Sequence, residues 1–61
     1  MKEIKLTTAI EKVDEIANTL IPKGAEGTLL DVIIEEGKVL FLLEFDTTIE
    51  WYDTSELEER C

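Results

Sequence analysis

Two neighbouring segments of this chain, residues 28–35 and 38–45, alternate in the manner of β-strands yet are apolar on both sides of the alternation. An ordinary two-layer sheet buries one face and leaves the other in water. The side that we assign to the core comprises Leu30, Val32, Ile34, Val39, Phe41, Leu43 and Phe45. The opposite side carries Leu29, Ile33, Leu40 and Leu42. Because a chain of 61 residues has too little mass to cover both faces, we expect the second face to contact another subunit or a partner protein.

The length of the chain predicts one domain that spans residues 1–61. A domain of this size hides only ~60% of the surface that its unfolded chain exposes, so we expect its stability to be low. Small folds usually gain stability from disulfides, a metal or oligomerisation. Cys61 is the only cysteine and there is no histidine, so an intrachain disulfide and a zinc site of the usual type are both excluded. Oligomerisation or partner binding remains as the source of added stability.

The charge of the chain limits its partners. Six basic and fifteen acidic residues give a formal net charge of −9. Binding to phosphate backbones needs clustered Lys and Arg, so we expect no direct contact with nucleic acid. The acidity serves either solubility or the recognition of a basic partner. The chain has no apolar stretch near the ~18 residues of a membrane helix and no signal-peptide pattern, so we expect a cytoplasmic protein without membrane contact.

The first third of the chain allows two interpretations. Residues 3–11 alternate as a strand that adds Ile4, Leu6 and Ile10 to the predicted core, with residues 12–22 as a long loop. The alternative is a helix over 9–19, because apolar residues recur there near helical spacing and Thr8 with Glu11 has the form of a capping box. The residues alone leave both interpretations open.

Turn residues divide the rest of the chain. Gly27 ends a turn that leads into the first central strand, and Gly37 in a left-handed conformation predicts a hairpin with a bulge. Residues 49–52 form a short strand that directs Ile49 and Trp51 toward the core. Its end leads into a single helical turn with Ser55 and Glu58 at capping-box spacing, from which Leu57 also reaches the core.

This order of elements resembles the small SH3-like barrels of uncharacterised bacterial proteins, and related patterns occur in accessory subunits such as the variable chain of ferredoxin–thioredoxin reductase. The resemblance covers roughly residues 5–58. The matching positions are Ile21-Pro22-Lys23-Gly24, Gly27-Thr28, Glu44-Phe45, Trp51 and Ser55-Glu56-Leu57. It implies an all-β fold, a small SH3-like barrel of about five short strands with a C-terminal helical turn. It implies little about function, because this fold has many roles.

No residue pattern in the sequence predicts catalysis. General acid–base chemistry needs a carboxyl group with a shifted pKa in a pocket, and a barrel of this size fills its own interior. The threonines have no histidine to activate them as nucleophiles. Asp46, Thr47 and Glu50 offer oxygen atoms without the spacing of calcium loops. We therefore expect a protein that is not an enzyme and that has no cofactor, metal or small-molecule substrate.

The leading hypothesis is a non-catalytic protein–protein interaction module that self-associates or serves as an accessory or inhibitory subunit. Its predicted interface is Leu29, Ile33, Leu40, Leu42 and Tyr52. Tyr52 is included because strand parity places the other aromatic residues in the core, which also argues against an aromatic groove for proline-rich peptides. The first loop, through Val13, Ile16 and Leu20, is an alternative cover for this surface. The alternative function is an acidic mimic of nucleic acid that blocks a basic cleft.

Overall fold

The computed structural model describes residues 2–58, which form six β-strands and one 3-10 turn. The strands are β1 (Lys5–Thr7), β2 (Lys12–Asp14), β3 (Thr19–Ile21), β4 (Glu26–Glu35), β5 (Lys38–Glu44) and β6 (Ile49–Asp53), and the 3-10 turn is Thr54–Glu56. The predicted all-β class with a C-terminal helical turn is confirmed. Cys61 lies outside the described residues.

Four of the strands form one antiparallel sheet in the order β1-β4-β5-β6. Beyond the ends of β1 and β6, Thr8 forms an isolated antiparallel bridge with Leu57. On either side of it, the Ala9 N–H donates to the Glu56 carbonyl at 2.8 Å and the Glu58 N–H donates to the Thr7 carbonyl at 2.9 Å. These contacts join the two ends of the sheet, which curls it into a small, partly closed barrel.

Strands β2 and β3 pair with each other in a separate two-stranded sheet, which we call the first hairpin (residues 12–21). The alternative of a helix over 9–19 is therefore wrong, and the predicted long loop contains a hairpin instead. Asp14 explains the turn, since its Oδ1 accepts the N–H groups of Ile16 and Ala17 at 3.1 and 3.3 Å. Asn18 completes it in the left-handed region at φ 52°, a conformation that no helix interior accommodates.

The turn between β4 and β5 has two residues, Glu36 and Gly37, with φ of 50° and 79°. Two positive values are typical of the tight type I′ hairpin turn, so Gly37 adopts the predicted left-handed conformation but the bulge predicted there is absent. The bulge lies at Leu30 instead, between the pairs Leu29–Leu43 and Asp31–Leu42. It shifts the alternation of β4 by one residue, and Leu29 therefore shares a face with Leu43.

Strand β6 has the opposite orientation to the predicted one. Phe41 lies opposite Tyr52 and Leu42 lies opposite Trp51, so Tyr52 faces the core side and Trp51 faces away from it. The register is set by the β5–β6 turn, where the Phe45 N–H donates to the Thr48 carbonyl at 2.8 Å. The helical turn that follows is capped by Asp53 and Glu56, which form a capping box two residues earlier than the predicted Ser55 and Glu58.

The fully enclosed core is small. Among the described residues, the buried side chains are Thr8, Ile21, Leu43, Thr48 and Tyr52. Half-buried members of the predicted core are Leu6, Ile10, Val39, Phe41, Phe45, Trp51 and Leu57. The prediction is wrong for Ile4, Leu30, Val32, Ile34 and Ile49, which are exposed. Ile4, Val32 and Ile34 are exposed because the first hairpin has only three residues in each strand and cannot cover a sheet whose β4 has ten. Leu30 lies in the bulge of β4, and Ile49 lies on the side of β6 that faces away from the core.

Candidate interaction surface

The sheet has two faces, which the strand register defines. The inner face, against which the first hairpin packs, contains Ile4, Leu6, Leu29, Val32, Ile34, Val39, Phe41, Leu43, Phe45 and Tyr52. The outer face contains Ile33, Leu40, Leu42, Trp51 and Ile49. Both faces are thus apolar, as the sequence indicates, but the members of each face differ from those predicted.

The predicted interface residues separate into three groups. Ile33, Leu40 and Leu42 lie together on the outer face and are half-buried. Leu29 lies on the inner face because of the bulge at Leu30. The prediction that Tyr52 lies at the surface is wrong, since its side chain is 0% exposed. Trp51 takes its place on the outer face, directly opposite Leu42.

The first hairpin does not supply the alternative cover for the outer face. Val13 and Leu20 lie opposite each other on the hairpin and are more than half exposed, and Ile16 at its tip is 100% exposed. The other side of the hairpin contacts the barrel, because Ile21 is buried and pairs with Lys12. The hairpin therefore shows apolar side chains to solvent on one side while it packs on the inner face with the other.

Lys12 holds the first hairpin against β6. Its Nζ lies 4.5 Å from the centroid of the Tyr52 ring and donates to the Trp51 carbonyl at 2.7 Å. The same ammonium group forms an ion pair with Glu56 Oε1 at 3.2 Å. A charge that is partly removed from water needs such partners, and here an aromatic face, a carbonyl and a carboxylate supply them together.

Asp14 makes the second attachment of the hairpin. The Thr48 hydroxyl donates to Asp14 Oδ2, while Asp14 Oδ1 accepts the N–H groups of its own turn. The hydrogen bond from Thr48, followed by those from Ala17 and Ile16, holds the pKa of Asp14 below its usual value because each bond favours the ionised carboxylate. This arrangement positions the hairpin and is structural.

Tyr52 fills the space beneath the first hairpin. Its ring packs edge-to-face on Phe45 with 6.1 Å between centroids. Its hydroxyl oxygen is buried and has no hydrogen-bond partner among residues 2–58. Burial, with smaller contributions from Glu50 and Glu56, raises the pKa of Tyr52 to about 12. The phenol is therefore neutral at physiological pH.

Part of the inner face lies beyond the reach of the hairpin and remains open. Phe41, Leu6 and Leu57 line a cleft of about 480 Å³ there. On the same face, Val32 pairs with Phe41 and is 44% exposed, and Ile34 is 77% exposed. Contiguous exposed apolar side chains of this kind mark interaction surfaces in soluble proteins.

No group of three or more His, Cys, Asp or Glu side chains among residues 2–58 is arranged to hold a metal ion. A second cleft of about 250 Å³ between the first hairpin and the β5–β6 turn is lined in part by Glu26 and Asp46 together with threonines. Across this same stretch, no helix is long and apolar enough to cross a bilayer.

Comparison with protein-family models, with curated proteins and with solved structures found no match for this chain. The resemblance to small SH3-like barrels therefore stays a prediction from the sequence. The functional assignment rests on the surface itself, and sequence reasoning missed two parts of it. These are the exposed inner-face residues Val32 and Ile34 and the position of Trp51, and the alternation gives no signal for them because apolar residues occupy both of its sides.

Proposed function

We propose that this chain is a non-catalytic protein–protein interaction module, which self-associates or acts as an accessory or inhibitory subunit. The observation that carries the proposal is the apolar surface left uncovered on both faces of the sheet. Ile34 at 77% exposure and Val32 at 44% represent the inner face, while Leu42 and Trp51 lie side by side on the outer one. Burial of such side chains against a partner is favourable by ~25 cal/mol for each Å² removed from water.

The proposal also accounts for the small core. Few side chains are buried among the described residues, so the chain gains less stability from its own folding than larger domains do. Association with a partner buries apolar surface that folding leaves exposed. The net charge of −9 then keeps the free protein soluble until a partner covers the surface. The proposal places this role in the cytoplasm, the compartment that the sequence predicts.

The test is the size of the protein in solution and its capture of partners. Size-exclusion chromatography with light scattering across a range of concentrations measures self-association, and crosslinking in the native lysate followed by mass spectrometry measures capture. We expect Leu42→Glu to abolish the assembly that the wild type forms, because it introduces a charge without a partner into a buried contact. Ile16→Glu is the matched control, since it makes the same kind of change at the fully exposed hairpin tip.

A wild type that stays monomeric at high concentration and recovers no protein reproducibly would contradict the proposal. Saturable binding to fluorescent DNA or RNA would also contradict it. Capture of nucleic-acid-binding proteins through a basic cleft, in a manner insensitive to Leu42→Glu, would support the acidic mimic instead.

A further inference from the structure

The two long edges of the sheet differ in whether their outward backbone groups are occupied. Strand β4 has ten residues, but β1 pairs only with Glu26, Gly27 and Thr28. One further bond extends this pairing, from the Leu29 N–H to the Ile4 carbonyl at 2.8 Å. Within residues 2–58, no other strand pairs with the outward side of residues 30–35, which we call the free edge of β4.

The register identifies the outward groups of the free edge. Glu35 and Lys38 flank the two-residue turn and therefore exchange hydrogen bonds with each other. In an antiparallel pair such bonds recur at every second residue, so Asp31 and Ile33 also bond to β5, whereas Val32 and Ile34 direct their N–H and C=O groups outward. The Val32 N–H confirms this, since it donates to Asp31 Oδ1 at 2.8 Å.

The opposite edge of the sheet, at β6, is occupied by side chains. The Trp51 N–H donates to Glu50 Oε1 at 3.0 Å, and the Trp51 carbonyl accepts from Lys12 Nζ. The Asp53 N–H donates to Glu56 Oε1, also at 3.0 Å. Proteins commonly protect edge strands against pairing with other chains, and β6 is protected in this way. On the free edge of β4, the one such bond among the described residues is that of Asp31, which leaves the N–H of Ile34 open.

The side chains along the free edge define what could pair with it. Val32 and Ile34 lie on the inner face and are exposed, and Ile33 lies between them on the outer face. Asp31 and Glu35 lie on either side of this apolar triplet, and neither forms an ion pair with a basic side chain in the described part of the chain. An added strand therefore meets apolar residues at three consecutive positions and a carboxylate at each end.

We propose that the free edge of β4 binds an extended segment of a partner protein by strand addition, and that this segment carries three apolar residues between two basic ones. Backbone bonds to the Ile34 N–H and to the outward carbonyl groups of Val32 and Ile34 would provide affinity, and the basic residues opposite Asp31 and Glu35 would set the register. This inference rests on the proposed function and names the kind of partner.

A second copy of the chain fits this edge less well. Antiparallel pairing of two β4 edges centred on Ile33 places Asp31 opposite Glu35 of the other copy at both ends of the contact. Like charges directly opposite each other destabilise a strand pair, and each chain carries a net charge of −9. Charge complementarity therefore favours a basic partner segment.

The direct test uses an acetylated and amidated peptide with the core lysine-valine-isoleucine-valine-lysine between Ser-Gly ends, and a control peptide with both lysines replaced by glutamate. Titration followed by NMR measures binding, and hydrogen exchange reads out the backbone contact. We expect saturable binding of the lysine peptide that slows exchange of the Ile34 N–H by about tenfold or more. The Ile33 N–H, already bonded to β5, serves as the internal reference. We expect the glutamate peptide not to bind, and we expect added salt to weaken the binding of the lysine peptide.

Two variants separate the backbone contact from side-chain burial. Ile34→Pro removes the outward N–H without removing a bond to β5, and Ile34→Ala keeps the N–H while it shortens the side chain. We expect the proline variant to lose binding and the alanine variant to keep a weakened form of it. Unchanged exchange at Ile34 on saturation, or equal binding of both peptides, would overturn the inference. Since exchange is measured in the wild type, this result does not depend on the folding of the proline variant.

Failure of this inference and failure of the proposed function are distinguishable. Suppose that the wild type assembles or captures a partner, that Leu42→Glu prevents this, and that the peptide does not bind. The proposed interaction module is then supported, and the free edge of β4 is not its contact. If the protein neither assembles nor captures anything, the proposed function fails whatever the peptide does.

Discussion

The ammonium group of Lys12 lies over the ring of Tyr52, 4.5 Å from its centroid, and these two residues join the first hairpin to β6. Tyr52 is the largest fully buried side chain among the described residues, and Lys12 is one of the six basic residues in the chain. The contact therefore places one of the few cations of the chain at the junction of the first hairpin and β6, where its side chain is 26% exposed.

Replacement of Lys12 by methionine should lower the free energy of unfolding by about 1–3 kcal/mol, because it removes a charged hydrogen bond and a cation–π contact while it keeps the aliphatic chain. The half-exposed ion pair with Glu56 adds little to this figure. Urea denaturation measures the change. Lys23→Met is the control, since Lys23 is exposed, and an equal loss in both variants would show that net charge alone is responsible.

Removal of the Tyr52 hydroxyl should leave stability unchanged or raise it by about 1 kcal/mol. The hydroxyl is buried without a described partner, so Tyr52→Phe relieves the cost of its desolvation and keeps the ring contacts with Phe45 and Lys12. Thermal and urea unfolding of the variant provide the measurement. A clear loss of stability would mean that the hydroxyl binds a buried water or another group.

The attachment through Asp14 should make folding stability depend on acid. The hydrogen bond from Thr48, above all, holds the pKa of Asp14 below its unfolded value of 3.8. A depressed carboxyl pKa stabilises the fold above the unfolded value, and this contribution is lost as pH falls from about 4 through the folded pKa. Asp14→Asn should reduce the acid sensitivity of the melting temperature in this range.

Protonation of the other carboxylates changes stability in the same pH range. The informative quantity is therefore the difference in pH dependence between the wild type and Asp14→Asn. Asp46→Asn removes one exposed carboxylate from the β5–β6 turn and controls for the loss of charge. Parallel pH profiles for the wild type and Asp14→Asn would refute the role assigned to the bond between Asp14 and Thr48. The pKa of Asp53 is lowered chiefly by the Ser55 hydroxyl. Because the wild type and both variants retain Asp53, it should contribute the same acid dependence of stability to all three proteins.

Gly27 should not tolerate a side chain, for a reason of space. A Cβ at this position would lie 2.8 Å from a ring carbon of Phe45 and 3.0 Å from the Cβ of Leu43. Gly27→Ala should cost about 1–3 kcal/mol, since neighbouring core groups must shift. Phe45→Leu in the same chain should recover part of this loss, and a double-mutant cycle measures the recovery. Strict additivity of the two changes would rule out the close approach as the cause.

Local patterns of the sequence predicted several features correctly because those features depend on neighbouring residues. Alternating β-branched and apolar residues indicate the two central strands, and Gly37 indicates a hairpin turn that needs a positive φ. The apolar character of both faces follows from the nearly continuous apolar runs in residues 28–35 and 38–45, whatever the register. The all-β class and the C-terminal turn are therefore determined by the sequence itself.

The tertiary structure decided which residues share a face. A strand has a period of two, so a shift of one residue moves every side chain to the other face. The bulge at Leu30 moves Leu29 in this way, and the β5–β6 turn exchanges Trp51 and Tyr52. Neither shift can be predicted from the alternation of polar and apolar residues, because apolar residues occupy both faces. The open edge of β4 likewise depends on how far β1 extends along it, which is settled by long-range hydrogen bonds between residues distant in the chain.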